Sequence, residues 1–309
     1  MKKFIRNIFF GKLPVSEYST VTTNQSIFEK VFLDSGQSVL DVSVTHWLLC
    51  LDPIVFGIWF EKNIGLVYQK DGTAYTLRFM DEAVNANTVA ILKLTYFNQI
   101  EDQEGTLLLL KLKKASIHHL GFIKTLLLYY RYYKKAEQNF YKLKSYAAAY
   151  SYPRRVRLVS FQEGNWYNIF PMDLVGDLSS CGRYVFGLRH SNVTLTRMIQ
   201  AKKVVVSEIP YEYKDIIYQL GKYHRKPLSE IGTPFGVIQT EIFRFPVPEW
   251  ANGYKEISIS NCLNLGSHML LWGEVMNNRN LSKPHGHLFH IHFLHYLHQI
   301  SRGRTYKLV

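Results

Sequence analysis

Between Ala115 and Tyr150 the sequence is built of Leu, Lys, Tyr and Ala, with apolar residues at helical spacing and few Gly or Pro, whereas on either side it runs in short β-branched and aromatic bursts. This contrast predicts two β-rich regions joined by one long helix, or by two helices with a break. Before the joint stand "SVLDVSVTHWLL", "IVFGIWFE", "LVYQKDGTAYTLRFM" and "TVAILKLTYF", separated by turn signals such as Asp71-Gly72. After Pro153 come "RVRLVSF", "WYNIFPMDL", "RYVFGLR" and "KKVVVSEI", then "YKEISISNCLNLG" and "HMLLWGEVM", and a histidine-rich segment from Lys283 to Val309 that reads as helix. The expected fold class is mainly β with helices, an α+β chain built around a β-barrel. The boundary falls near Ala148 to Pro153, giving a β-rich region over 1–148 that ends in a basic helix and a second region over 149–309.

A chain of 309 residues with 47% hydrophobic content can bury a sizeable core without covalent staples. Its three cysteines, Cys50, Cys181 and Cys262, are scattered and form no CxxC pair, which excludes a disulfide framework and a thiolate metal cluster. "MKKFIRNIFF" is interrupted by Arg6 and followed by no small-residue cleavage site, and no window is long and charge-free enough for a membrane span. These features lead to the expectation of a cytoplasmic protein without a membrane span. The net charge of +13 is concentrated: Lys111 to Arg157 holds twelve basic residues against Glu137 alone, a local +11 that would attract polyanions and phosphate-bearing small molecules alike.

GxxxxGK[ST], GxGxxG after a strand, GxSxG and HExxH are all missing, which removes the familiar hydrolases and nucleotide kinases. The most informative stretch begins at Tyr152. A strand from Arg155 to Phe161 turns through Gln162-Glu163-Gly164-Asn165 into a second strand ending at Pro171, and an irregular wrapping loop follows from Met172 to Gly182. Next comes the strand "RYVFGLRHS", and "NVTLTRMIQAKK" then has helix spacing. Ser191, Asn192 and Thr194 therefore sit at a strand-to-helix turn beside Arg189, where hydroxyls and free amides can hold a phosphate. The simpler reading, which this feature alone favours, is a helix cap.

The order of these pieces, "YP" before a strand, a strand holding Asn168, the Pro/Met/Ser loop, "VFGLRHSNVTLTRMI", "KKVVVSEIP" and much later "GSHMLLWGEV", resembles the flavin reductase-like family, the FMN-binding split β-barrels, over roughly residues 152–278. The resemblance implies a split barrel in the C-terminal half. It implies Asn168, Phe170, Pro171, Met172, Asp173 and Leu174 beside the flavin, and Arg189, Ser191, Asn192 and Thr194 at its phosphate. It also implies FMN as cofactor, with FAD as the alternative, and NAD(P)H as co-substrate. The family's "GDH" corresponds to Gly266-Ser267-His268, so Ser267 replaces the usual acid. His268 then lies on the flavin side, where it helps seat the nicotinamide and is the catalytic candidate; the alternative is a structural histidine. Such chemistry needs little acid–base equipment, because the flavin itself takes the hydride.

A single split barrel needs only half this chain. "HWLLCLDPIVFGIWFEKN" has the loop-then-strand rhythm of "PMDLVGDLSSCGRYVFGLRHSN", so a degenerate internal repeat competes with the simpler expectation of an unrelated β-rich domain. Residues 63–70 lack a Ser/Thr phosphate turn, so no flavin site is assigned to the first half. A homodimer or an internal pseudo-dimer is the expected assembly. Six histidines, His285, His287, His290, His292, His295 and His298, crowd the tail without a nearby acid or thiol, and a packed helix face is preferred over a metal site, with no metal ligand assigned. The Tyr- and Lys-rich run from Leu126 to Lys144 mixes rings and cations as single-strand binders do, but the preferred reading is a half-buried helix with snorkelling lysines. Three functions follow in order: an FMN-dependent, NAD(P)H-using oxidoreductase; a non-catalytic flavin- or ligand-binding split barrel; and a binder of polyanions, with nucleic acid the least favoured partner.

Overall fold

The computed structural model of the chain describes residues 18–23, 27–62, 74–81, 87–119, 121–123, 125–126, 140–281, 286–303 and 306–309. Strand β1 (Tyr18–Thr22) opens the described chain. A first seven-stranded sheet follows, made of β2 (Lys30–Asp34), β3 (Val39–Asp41), β4 (His46–Leu51), β5 (Ile54–Glu61), β6 (Ala74–Met80), β7 (Thr88–Glu101) and β8 (Gly105–Ile117). The helix Phe140–Ala149 and the short β9 (Arg154–Arg155) lead to the second half. Its strands are β10 (Arg157–Glu163), β11 (Trp166–Met172), β12 (Val175–Leu178), β13 (Arg183–Arg189) and β14 (Lys203–Glu208), then the hairpin β15 (Val237–Gln239) with β16 (Pro246–Pro248), then β17 (Gly253–Asn264) and β18 (His268–Asn280). The tail adds β19 (Phe289–His292), the helix Phe293–Ser301 and β20 (Lys307–Leu308).

In space the first sheet runs β3-β2-β6-β7-β8-β5-β4 and the second β11-β10-β14-β17-β18-β13-β12. Counted along the chain, the strands of the two sheets occupy the same places, β2 matching β10 and so on to β8 and β18, and every neighbouring pair is antiparallel. The first half is thus a second copy of the same topology, which corrects the expectation of an unrelated domain. A four-stranded sheet, β20-β1-β19-β9, brings β1 and the tail strands together at the junction.

Period-two patterning explains how each sheet serves two cores. Along β5, Phe56, Ile58 and Phe60 fill the interior of the first sheet, while Val55 and Trp59 point the other way into a core shared by both halves. Along β13, Tyr184, Phe186 and Leu188 fill the interior of the second sheet and Val185 faces the shared core. A strand buried on both faces reads as an unbroken apolar run, and "IVFGIWF" is one. The shared core also takes Leu49, Leu107 and Leu109 from one half and Leu178, Leu265, Leu270 and Trp272 from the other. The halves approach so closely that Gly187 must be glycine, since a Cβ there would overlap the Leu49 carbonyl oxygen.

Three local expectations are corrected. Ala115 to Ile117 belong to β8, not to a helix, because they pair with β7 at Ala90, Ile91 and Leu92 and so complete its long ladder. Most of the tyrosine- and lysine-rich run, 127–139, lies outside the described residues. The wrapping loop after Met172 contains β12, which pairs along β13 from Phe186 to Arg183, and among its described residues the tail is helical over Phe293–Ser301, flanked by β19 and β20.

Candidate functional site

One cavity of about 560 Å³ opens beside the joint, lined by Leu51 and Tyr150, by Pro171, Met172, Asp173 and Leu174, by Gly187, Leu188, Arg189 and Ser191, by Gly221, Lys222, His224 and Arg225, and by His268 and His290. Its size lies in the range of pockets that enclose small-molecule ligands. Beside Leu51 and Tyr150, five segments converge here. The end of β11 and the residues before β12 supply one wall, the end of β13 a second, and the mouth of β18 contributes His268. The long connection from β14 to β17, for which the first half has only the short passage from Met80 to Thr88, brings Lys222, His224 and Arg225. The tail brings His290.

His268 is 1% exposed. Burial, with Arg189 and His190 nearby, pushes its imidazole down to about 4, so it is neutral at pH 7. Ser267 ties this residue to the first half: its Oγ accepts from Asp52 N at 3.0 Å and contacts His268 Nδ1 at 2.7 Å, while Ser267 N donates to Asp52 O at 2.6 Å. Cys50 Sγ lies 3.5 Å from the same hydroxyl and 3.6 Å from Nδ1, so a thiol of the first half also meets the imidazole. Gly266, at φ +119, lies against Pro53 in the β4–β5 turn and makes this approach feasible.

Seven of the eleven residues singled out from the sequence, Pro171, Met172, Asp173, Leu174, Arg189, Ser191 and His268, line this cavity. The other four do not. Phe170 is a core residue whose ring lies 5.2 Å from that of His224. Asn168 is buried, donating to Thr194 Oγ1 at 2.9 Å and Tyr223 O at 2.8 Å and accepting from Leu228 N at 3.2 Å. Asn192 accepts from Thr194 N at 2.8 Å and donates to His224 Nδ1 at 3.0 Å. These side chains are consumed in holding the turn, and they hold it against the segment that carries His224. Four of the turn's amides are paired as well: the N–H groups of Asn192, Val193, Thr194 and Leu195 donate to Arg189 O, His224 O, Asn192 Oδ1 and Asn192 O. The expectation of free amides is corrected at these four positions, and the polar side chains that line the cavity beside the turn are Arg189 and Ser191, with Lys222 and Arg225.

Lys222, His224, Arg225, Leu51, Tyr150 and His290 were not foreseen as site residues. "GKYHR" is visible as a basic cluster, but no spacing rule carries residues 221–225 to a turn thirty positions away; the buried amide of Asn168, the imidazole of His224 and the Val193 N–H to His224 O do. On the opposite wall Asp173 Oδ2 lies 2.9 Å from His290 Nδ1. Burial pulls the Asp173 carboxyl upward, but the hydrogen bond and charge of His290 outweigh it and keep it below the ordinary carboxylate value.

The register locates the matching position in the first half. Gly57 faces Leu109 as Gly187 faces Leu270, and two residues on, Trp59 faces Leu107 where Arg189 faces His268. Trp59 and Leu107 are buried in the shared core, Trp59 stacked on Trp272 at 5.8 Å between centroids. What is a cavity in one half is solid core in the other.

The histidine tail divides by depth. His295 Nε2 lies 2.8 Å from Glu29 Oε1, and His298 Nδ1 lies 2.9 Å from His119 O, both inside the packed helix face. Among the described residues no group of three or more ligand-type side chains converges as for a metal ion. No helix among them is long and apolar enough to cross a membrane.

No protein-family model and no curated protein matches the sequence. Solved structures resemble part of the chain. An FMN-binding protein from Thermus thermophilus, solved with 1-cyclohex-2-enone, is 19% identical over 42% of this chain and 72% of its own, with a TM-score of 0.38. An NADH:FAD oxidoreductase of Streptomyces globisporus C-1027 is 15% identical over 44% and 76%, with a TM-score of 0.39. A homologue of nitrilotriacetate monooxygenase component B from Mycobacterium thermoresistibile is 13% identical over 47% and 80%, with a TM-score of 0.42.

Proposed function

We propose that the chain binds one flavin nucleotide in the cavity beside His268 and catalyses its reduction by NAD(P)H. The observation that carries this reading is the convergence of Pro171 to Leu174, Arg189, Ser191 and His268 on one cavity, since these were chosen from sequence as a set and lie nearly a hundred positions apart. The residues present suit the ligand. Leu51, Pro171, Met172 and Leu174 offer apolar wall to a flat ring system, and Arg189, Lys222, Arg225 and the Ser191 hydroxyl offer charge and a hydrogen bond to a phosphate. None of these three cations has an acidic partner within salt-bridge distance among the described residues, which leaves their charge for a ligand.

When bound, the flavin supplies two-electron chemistry by accepting hydride. The chain's own work is to seat the ring, to hold the phosphate and to present His268 as a neutral imidazole where the nicotinamide approaches. FMN is the expected ligand, and FAD the alternative. Purified protein tests the reading: a yellow colour with flavin absorbance, and NADH or NADPH oxidation on adding FMN, are the predicted results. A colourless protein that neither takes up FMN nor speeds its reduction contradicts it; flavin bound without turnover supports the binding module instead.

A further inference from the structure

Resting on the flavin reading only for what the cavity holds, we propose that the tail helix Phe293–Ser301 is an acid-sensitive strap: protonation of His119 and His292 lifts it off the first half and loosens the cavity wall that His290 supplies. Four buried imidazoles fasten this helix, His292, His295 and His298 of the tail and His119 after β8. Their partners fix where the protons sit. His298 Nδ1 lies 2.9 Å from His119 O and His295 Nε2 lies 2.8 Å from Glu29 Oε1; a carbonyl or an ionised carboxylate only accepts, so both rings donate. Ser151 Oγ gives its one hydrogen to Ala147 O at 2.8 Å, so it accepts from His119 Nε2 at 2.9 Å. His292 works the other way, its Nδ1 accepting from Leu294 N at 3.2 Å and capping the helix.

Two of these rings have no place for a second proton. On His292 Nδ1 it would break the cap, and on His119 it would go to Nδ1, which is buried and hydrogen-bonds nothing. The other two face carboxylates: His295 meets Glu29, and His298 Nε2 lies 3.4 Å from Asp81 Oδ2. Burial raises the Glu29 carboxyl, but His295 and Tyr306 outweigh it and keep it below the ordinary value. The charges that act on His119 are those of His295, His292, His298 and His118, and the charge that acts on His292 is that of His295. Lys144 and Arg302 add two cations to the cavity that His119 and His298 line. Burial first, and then the neighbouring imidazoles, hold His119 well below its ordinary value and His292 down to about 3.

The helix is built to open by itself. It joins neither sheet's interior nor the shared core; its Tyr296 sits in a small cluster with Val21, Phe289, Ile291 and Tyr306. Nine residues do not hold a helix in water without such anchors. β19 runs straight into it and sets His290 Nδ1 2.9 Å from Asp173 Oδ2 on the cavity wall. The sign of the pH dependence follows from linkage. Released histidine takes a proton near pH 6.5 and docked His119 and His292 do not, so the released state holds more protons and docking weakens as pH falls below about 6.5. Each of the two rings then favours release by up to about tenfold per pH unit, and both together by up to about a hundredfold.

Hydrogen exchange of the full chain, resolved along the sequence between about pH 7 and 5, tests this. Corrected for intrinsic rates, protection of residues 293–301 should fall by up to about a hundredfold per pH unit and be lost while β17 and β18 still exchange slowly. His119→Gln keeps a donor for Ser151 Oγ, and His292→Asn keeps an acceptor for Leu294 N, but neither new side chain can be charged. Each should remove up to about tenfold per pH unit from that fall. FMN affinity should drop together with the helix's protection, and hold to lower pH in both variants. Protection lost only together with β17 and β18, a pH dependence that neither variant alters, or FMN affinity indifferent to the loss of the helix overturns the strap. A protein that binds no FMN at pH 7 overturns the functional reading, and the exchange data still judge the helix; should one variant fail to fold, the wild-type profile and the other variant decide.

Discussion

The two sheets share a strand order and differ in what fills the matching place at the ends of β5 and β13. In the second half that place is open, with Arg189 and His268 across from each other and a cationic segment drawn in to wall the space. In the first half it is occupied by Trp59 and Leu107, pressed against Trp272. A repeated topology thus supplies two equivalent positions, and side-chain volume decides that one serves packing and the other a ligand. The price of the closed position is lost binding capacity; its benefit is the apolar area that joins the halves.

This contrast breaks most readily at Trp59. Trp59→Ala should destabilise the chain by about 3–5 kcal/mol, as for other large core truncations, and leave FMN affinity nearly unchanged in whatever protein remains folded. Denaturant unfolding and a binding titration check both arms. Gly187→Ala attacks the joint from the other side, forcing a Cβ into the Leu49 carbonyl, and should cost about 3 kcal/mol in the same unfolding assay. Arg189→Ala sharpens the comparison by reversing the pattern: stability should move by less than about 0.5 kcal/mol while FMN affinity falls by about tenfold. His268→Ala should reduce NAD(P)H oxidation more than FMN binding, and unchanged turnover would remove His268 from the mechanism.

The smallest effect is on acid stability. His46 and His292, held down to about 3, and His268 and the half-buried His287, held down to about 4, are neutral in the folded chain, with desolvation the leading cause in each. Unfolded histidine binds a proton near pH 6.5, so between about 6.5 and 4 the unfolded state holds more protons and folding stability declines as pH falls. Glu208 extends the loss at lower pH. Burial pulls its carboxyl upward, but Arg157 and Arg155 outweigh this and bring it down to about 2, so its contribution is present above about 4.5 and fades below. Thermal melts across pH 4 to 8 should therefore show a midpoint that rises with pH.

Much of the second sheet was legible because its strands are β-branched runs with firm turn signals, and the cavity-lining residues Pro171 to Leu174 fell on consecutive positions at the end of such a strand. Asn168, Phe170, Asn192 and Thr194 do not line the cavity, because sequence gives their place in the chain but not the direction of the side chain. The turn that holds them also consumes their hydrogen bonds. The repeat left only the shared "VFG" of Val55-Phe56-Gly57 and Val185-Phe186-Gly187 as a trace, since the two copies have been filled for opposite ends. Lys222, Arg225 and His290 were beyond reach, because their approach to the cavity is set by the packing of the β14–β17 connection and the tail, which no local periodicity encodes. Ala115 to Ile117 read as helix because lysines at 111, 113 and 114 blur the alternation that pairing with β7 restores.

The most direct test of a duplicated fold with one open and one closed position is the stoichiometry of FMN binding, measured by calorimetric titration of the full chain at known protein concentration. One FMN per chain, bound about tenfold more weakly in Arg189→Ala but at wild-type strength in Trp59→Phe, is the predicted result. Two equivalent sites per chain, or one site that Arg189→Ala leaves at full strength and Trp59→Phe removes, would contradict it.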